Sequence, residues 1–342
     1  MPELYFHVGG VIPAAAIISL VFCFVISFFV RRAALFAGIV DIPRDGRRMH
    51  KNAVPMGGGL GMIIAFCVCL WLISAASRIG ASYAVRLAPL CFFCGIYGLC
   101  DDKFALKVSA KLAFQFIAAV LASLLLGNAE VFSFFGREYS LGVLSFPVTV
   151  FGFMFMMNAV NLTDGVDGLA SGVCAVSAAA LCVMHVLRGG IEYAVGSAAL
   201  CGVCLGFLFH NTAPAKMFMG EAGSAFLGFA LAALALPFSK GGNSAPLPQI
   251  FLALILPVSE AASSFLRRIL SGKSPFSPDK EHMHHILYGN GFSVALVCAT
   301  LYAFSIICAF CAVVYESHTA IAWAVFTLAV PFIRLMLGKK RI

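Results

Sequence analysis

The sequence predicts an all-α fold, a polytopic transmembrane bundle of about eleven helices, from three observations. Hydrophobic residues make up 61% of the 342-residue chain and charged residues only 11%. Mean hydropathy is +0.98, far from the composition of a water-soluble domain. The apolar residues gather into runs of about 20, the length that crosses about 30 Å of hydrocarbon as a helix. Finally, the dense polar stretches between those runs fall at every second junction, so one face of the membrane carries nearly all of them.

In order, the runs lie near 8–30, 57–75, 83–100, 110–127, 143–161, 168–187, 193–210, 223–238, 249–270, 293–315 and 319–337. Pro89 is expected to bend the third. The first is longer than a signal-peptide core and has no basic residue before it, so it reads as a retained helix. No repeat or linker divides the chain, and residues 1–342 are treated as one membrane domain. An odd number of spans puts the two ends on opposite sides. Of the 23 Lys and Arg, only Arg78, Arg86, Arg137, Arg188 and Lys240 fall on one set of junctions. The positive-inside bias therefore predicts an N-terminus outside, a C-terminus in the cytoplasm and the polar chemistry on the cytoplasmic face.

The thirteen cysteines are scattered through apolar runs, as at Cys67, Cys91 and Cys204, and read as small buried hydrophobes rather than metal ligands or disulfides. The net charge of +8 fits the positive-inside bias, attraction to anionic lipid heads, or a phosphorylated substrate. Nothing points to nucleic acid. The small residues Gly196, Ala198, Ala199 and Gly202 suit a contact between two copies of the chain, a homodimer.

Five inner junctions carry the candidate chemistry. Arg44, Arg47, Arg48, His50 and Lys51 either steer an anionic substrate or anchor a helix end against lipid phosphates. Asp101 and Asp102 close a span ahead of Lys103, Lys107 and Lys111, where one acid can face a metal or nucleophile while the other orients a neighbour. Lys111 and Gln115, four apart on one helix face at the start of a span, would reach a phosphate if that face lines the cleft. In NAVNLTDGVDG, Asp164 and Asp167 would share a helix face if a helix begins there, with Asn158 and Asn161 one turn earlier. The bland reading, an Asp capping a helix, accounts for one acid only. The segment His210 to Ser224 sets Glu221 between glycines, beside Lys216 and Phe218, a pattern that suits phosphate-bound Mg²⁺. His282, His284 and His285 crowd one basic loop and point to phosphate contact rather than zinc. A transporter would place its binding groups near the bilayer midplane within inverted repeats; groups at helix ends favour an active site at the membrane surface.

As a set, these blocks resemble the polyprenyl-phosphate N-acetylhexosamine-1-phosphate transferases, the family of MraY, WecA and TagO. Paired Asp101 and Asp102, NAVNLTDGVDGL, NTAPAKMFMGEAGS and SPFSPDKEHMHHIL occur in the family's order, and the last block and the span count look most like the WecA branch. The resemblance implies a multi-pass enzyme of the cell inner (plasma) membrane with Mg²⁺ or Mn²⁺ as cofactor. Its substrates would be polyprenyl phosphate and a UDP-N-acetylhexosamine, UDP-N-acetylglucosamine first and UDP-MurNAc-pentapeptide as the alternative, with UMP released. It further implies that Asp101 and Asp102 handle the lipid phosphate, and that Asp164, Asp167 and Asn161 lie around metal and uridine, where Phe218 stacks. Asp164 and Glu221 would ligate the metal. His282, His284 and His285 would hold the diphosphate with Lys111, while Lys216, Arg48 and His50 contact substrate. The chain departs from the family's pattern at Glu221, where that block has Asp. The competing readings are an intramembrane prenyltransferase and a lipid-linked sugar transporter.

Overall fold

The computed structural model describes residues 2–41, 53–134, 137–241, 244–272 and 282–314. Helices dominate: α1 (Pro2–Phe36), α2 (Gly58–Ser77), α3 (Ala81–Phe104), α4 (Val108–Leu126), α5 (Ser145–Thr163), α6 (Leu169–Leu187), α7 (Ile191–Asn211) and α8 (Gly220–Ala235). A second group follows: α9 (Leu247–Ala253), α10 (Ile255–Leu270), α11 (Met283–Gly289) and α12 (Val294–Val314). Among the described residues nine helices are long and apolar enough to cross a membrane, and the bent pair α9–α10 makes a tenth. The chain is a polytopic helical membrane protein. The span expected at 319–337, with the basic C-terminal flank, lies outside the described residues.

Each helix satisfies its own backbone, as hydrocarbon requires, so what the fold must settle is packing. α8 is the most enclosed helix, with 83% of its apolar window buried. Its N-terminal turn is reached by two neighbours through glycine. A Cβ on Gly59 of α2 would stand 2.1 Å from the backbone nitrogen of Gly223, and one on Gly98 of α3 would stand 2.2 Å from the Cα of Ala222. Only hydrogen at those two positions lets the backbones meet. α5 closes the third side, with Phe153 against Phe229 at 4.9 Å between ring centroids.

The run expected as one straight span at 249–270 is instead two helices meeting at 97°. Pro257 has no N–H to give the carbonyl of Ala253, so the ladder cannot run through. Leu254, at φ −112° and ψ 20°, takes the bend. The small-residue stripe of α7 is spent within the chain rather than offered to a second copy. A Cβ on Gly202 would sit 2.1 Å from the carbonyl oxygen of Ala16 on α1, and Ala199 is fully buried.

Short strands decorate the two ends. β1 (Val40–Asp41) pairs antiparallel with β2 (Val54–Pro55), and β3 (Val131–Phe134) with β4 (Arg137–Ser140). The first pair lies beside the segment that joins α7 to α8: Phe218 donates its N–H to Pro55, and Gly58 and Gly59 donate theirs to Phe218 and Met219, at 2.9–3.0 Å. A small apolar cluster of Val166, Leu169, Leu256, Met283 and Leu301 joins the α5–α6 turn to α10, α11 and α12. That cluster positions the histidine segment.

Candidate active site

The C-terminal ends of α3 and α5 and the N-terminal ends of α4 and α8 meet at one end of the bundle around a cavity of about 450 Å³. Asp41, Asp102, Asp164, Asp167 and Glu221 line it, with Asn161, Asn211, Phe218, Ser224 and His285.

The adjacent acids on α3 have separate duties. Asp102 faces the cavity and accepts the N–H of Glu221 at 2.8 Å and that of Ala222 at 3.5 Å, supplying from α3 the cap that α8 lacks in its own sequence. Asp101 is buried and does not line the cavity; it accepts the N–H of Leu106 at 2.8 Å and pairs with Lys111. Lys111 also lies 3.5 Å from Glu221. Asn161 donates to Glu221 and, at 3.2 Å, to Ser224. Thus α3, α4, α5 and α8 are tied through one ammonium and one amide. Beneath them the paired amides of Gln115 and Asn158 continue the polar seam between α4 and α5.

Asp164 and Asp167 do not open a helix, as their spacing suggested. α5 runs to Thr163, α6 starts at Leu169, and both acids lie in the turn between, closed by Gly168 at φ 83°. A turn rather than a helix start forms because Gly168 takes the left-handed conformation that other residues avoid. Both side chains still reach the cavity. Asp167 accepts the N–H of Ala215 at 2.9 Å, and Asn211 accepts that of Gly168 at 3.1 Å while donating to Met217 at 3.0 Å. α12 secures the same turn: Tyr302 donates to the Gly168 carbonyl at 2.6 Å and the Cys298 thiol to that of Asp167 at 3.4 Å. Among the described residues no donor reaches the Asp164 carboxylate. Burial, with the negative charges of Glu221, Asp102 and Asp167, lifts its pKa from 3.8 to about 7.

The three histidines also divide. His285 lines the cavity. His284 is 1% exposed and lies behind Gly165, where a Cβ would stand 2.1 Å from its Nε2. Neither of its ring nitrogens has a hydrogen-bond partner among the described residues. Burial, then His285 and His282, push its pKa from 6.5 down to about 3, so it stands neutral. His282 gives its Nδ1–H to Glu260 of α10 at 3.0 Å.

Phe218 lines the cavity, but Lys216 is exposed and contributes its backbone instead, accepting from Arg31 Nε at 3.0 Å. Arg48 and His50 lie outside the described residues. Sequence reasoning passed over Asp41, which reaches the cavity from β1, and Glu260. A carboxylate inside an apolar run was the available signal for Glu260; nothing singled out Asp41 beside its basic neighbours.

A second, apolar cavity of about 660 Å³ lies between α5, α8 and the bent pair, lined by Phe151, Phe155, Leu236, Leu247, Phe251, Leu254 and Val258 among others. In the acidic cavity the potential ligand atoms are mostly oxygens, among them those of Asp102, Asp164, Asp167, Glu221 and Asn161, the chemistry that suits a hard divalent cation. Among the described residues no three His, Cys, Asp or Glu side chains converge closely enough to hold an ion alone. The oxygen chemistry of the lining, and not its convergence, is what fits a hard cation that keeps only one or two protein carboxylates.

Residues 83–239, which hold α3 to α8 and both carboxylate clusters, match glycosyl transferase family 4. The chain is 31% identical over 316 residues to a probable undecaprenyl-phosphate N-acetylglucosaminyl 1-phosphate transferase of Bacillus subtilis (strain 168), covering 90% of this chain and 86% of the relative. It is 33% identical over 294 residues to a decaprenyl-phosphate N-acetylglucosaminephosphotransferase of Mycolicibacterium smegmatis, covering 78% and 72%. It is 28% identical over 312 residues to an undecaprenyl-phosphate alpha-N-acetylglucosaminyl 1-phosphate transferase of Escherichia coli (strain K12), covering 88% and 83%. With four of the five cleft carboxylates, Asp102, Asp164, Asp167 and Glu221, inside the matched region and the likeness running along most of each chain, this protein is a member of glycosyl transferase family 4.

Proposed function

We propose that the protein transfers N-acetylglucosamine-1-phosphate from UDP-N-acetylglucosamine to a polyprenyl phosphate, at a cleft facing the cytoplasm. An oxygen of the lipid phosphate bonds to the phosphorus next to the sugar, the bond from that phosphorus to the bridging oxygen breaks, and UMP departs with that oxygen. The observation that carries this reading is the meeting of Asp102 from α3, Asp164 from the α5–α6 turn and Glu221 from α8 beside Lys111, in a cavity sized for a small charged substrate. The names of the relatives supply the donor sugar and the lipid class, and the basic bias of the loops at this end supplies the orientation.

Two anions must be brought together, so their repulsion has to be offset. Mg²⁺ or Mn²⁺, held by Asp164 and Glu221, would neutralise the diphosphate when bound. The chain's own groups do the rest. Lys111 balances Asp101 and Glu221 so that the acids do not repel the incoming phosphate. Asp102 fixes the first turn of α8 and with it Glu221. His285 reaches the diphosphate, while neutral His284 backs the Asp164 turn. Phe218 and Asn161 face the nucleotide. The apolar cavity takes part of the isoprenoid chain, since its lining offers hydrocarbon and almost no polar group.

The test is UMP release by the purified protein given Mg²⁺ or Mn²⁺, polyprenyl phosphate and each UDP-N-acetylhexosamine in turn. Release with UDP-N-acetylglucosamine and dependence on the lipid are expected. A folded sample that releases UMP from none of the donors defeats the reading.

A further inference from the structure

Glu260 is a buried carboxylate, 1% exposed, that takes no part in either cavity. It lies on α10, beyond the bend, in a run that is otherwise apolar enough to enter the membrane. An acid there is costly unless its oxygens are occupied. Both are: Oε2 accepts from His282 Nδ1 at 3.0 Å and Oε1 from the N–H of Met283 at 2.9 Å. The two donors are consecutive residues at the start of the histidine segment.

This arrangement has consequences for the imidazole. An ionised carboxylate only accepts, so Nδ1 of His282 carries the proton and the ring plane is set by Glu260. The next rings follow in contact. His282 and His284 lie parallel within 4°, with centroids 5.6 Å apart, and His284 and His285 lie 4.4 Å apart. His285 is the ring that lines the acidic cavity, and His284 is the one wedged behind Gly165. Met283 packs with Val166 and Leu256, which fixes the same segment between α10 and the acid turn.

We infer that Glu260 is a positioning residue for the histidine cluster: from α10 it fixes the tautomer and tilt of His282 and so seats His284 and His285 against the cleft. This inference rests on the transferase reading for its kinetic consequence but not for its structural one. A purely structural carboxylate would hold the start of α11 through Met283 and leave the histidines indifferent to its charge.

The experiment uses the full-length protein in nanodiscs with ¹⁵N-labelled histidine. His282→Gln identifies the Nδ1–H signal of His282, and Glu260→Gln, with one acceptor oxygen for two donors, is expected to shift or split it. Turnover is read in parallel as UMP release. Glu260→Gln is expected to lower kcat about 10- to 100-fold, with KM for UDP-N-acetylglucosamine within about threefold. Glu260→Asp, which keeps charge and both acceptors, should recover part of kcat. The double variant Glu260→Gln/His282→Gln should be no slower than His282→Gln alone, since both changes remove one interaction. An unmoved His282 signal in Glu260→Gln, or multiplicative losses in the double variant, overturns the inference. Wild-type protein that releases no UMP instead defeats the transferase reading, and the nitrogen spectra then decide the positioning role on their own.

Discussion

The carboxylate of Asp102 on α3 accepts the backbone N–H of Glu221, 2.8 Å away across 119 positions of sequence, and so caps the helix that carries Glu221 into the cleft. Capping and charge are separable here. Asp102→Ala removes both and is expected to lower stability by about 0.5–2 kcal/mol as well as turnover. Asp102→Asn keeps an acceptor oxygen and should recover most of the stability without the turnover. Gly220, at φ 70° and where a Cβ would stand 2.3 Å from Asp102 Oδ2, should behave as the cap does: Gly220→Ala is expected to match Asp102→Ala. Thermal unfolding and UMP release of the three variants check this; an Asp102→Asn variant as active as wild type refutes it.

Glu221 spends its extra methylene on reaching Asn161 and Lys111. Glu221→Asp draws the carboxylate back from both by about one bond length, in a site where about 1 Å can change a rate about 100-fold. Activity with Mg²⁺ equal to or above wild type is expected, because the shorter acid is freed toward the cavity. Complete loss would show that the cleft is built around the longer side chain.

Gly165 permits the histidine cluster to touch the acid turn. The Cβ of Gly165→Ala would meet His284 Nε2 at 2.1 Å, so the imidazole must leave its seat. Overpacking of this kind costs about 1–3 kcal/mol. Turnover should fall further than stability accounts for, because His285 moves with its neighbour. Comparing UMP release at a temperature well below the variant's melting point separates the two effects.

Asp164 and His284 respond oppositely to pH in buffer free of divalent cations. The pKa of Asp164 is raised from 3.8 to about 7, so the fold favours its protonated form, and that contribution is lost as pH rises through about 7. For His284 the pKa is lowered from 6.5 to about 3, so the fold favours its neutral form, and that contribution is lost as pH falls below 6.5. The difference in melting temperature between Asp164→Asn and wild type should therefore grow more positive from about pH 5 to about pH 8. The corresponding difference for His284→Gln should grow more positive in the reverse direction. Flat difference curves would contradict the burial of both groups.

Composition and periodicity alone made the membrane bundle readable, because about 20 apolar residues in a row admit few structures once the backbone must bond to itself. α2 to α8 and α12 begin and end within a few residues of the expected runs, whereas α1 is six residues longer at each end, the short α11 had no counterpart, and the run at 249–270 differs in kind. There hydropathy saw one span, whereas Pro257, with α5 packed on α10 and α12 on α9, made two helices at 97°. The candidate acids were legible as residue types at spaced positions, and the spacing of Asp164 and Asp167 was read as a helix face. Gly168 turned that face into a loop.

What the sequence determined by itself is that the chain crosses the membrane many times and concentrates its acids, amides and histidines at helix ends. Only the tertiary structure decided their duties: that Asp101 turns to Lys111 while its neighbour Asp102 caps α8, that His284 is neutral, and that Glu260 holds His282. The reason is physical. Helix ends are set by local hydropathy, but which ends meet depends on side-chain contacts between residues far apart in the chain, and those contacts leave no periodic trace in it.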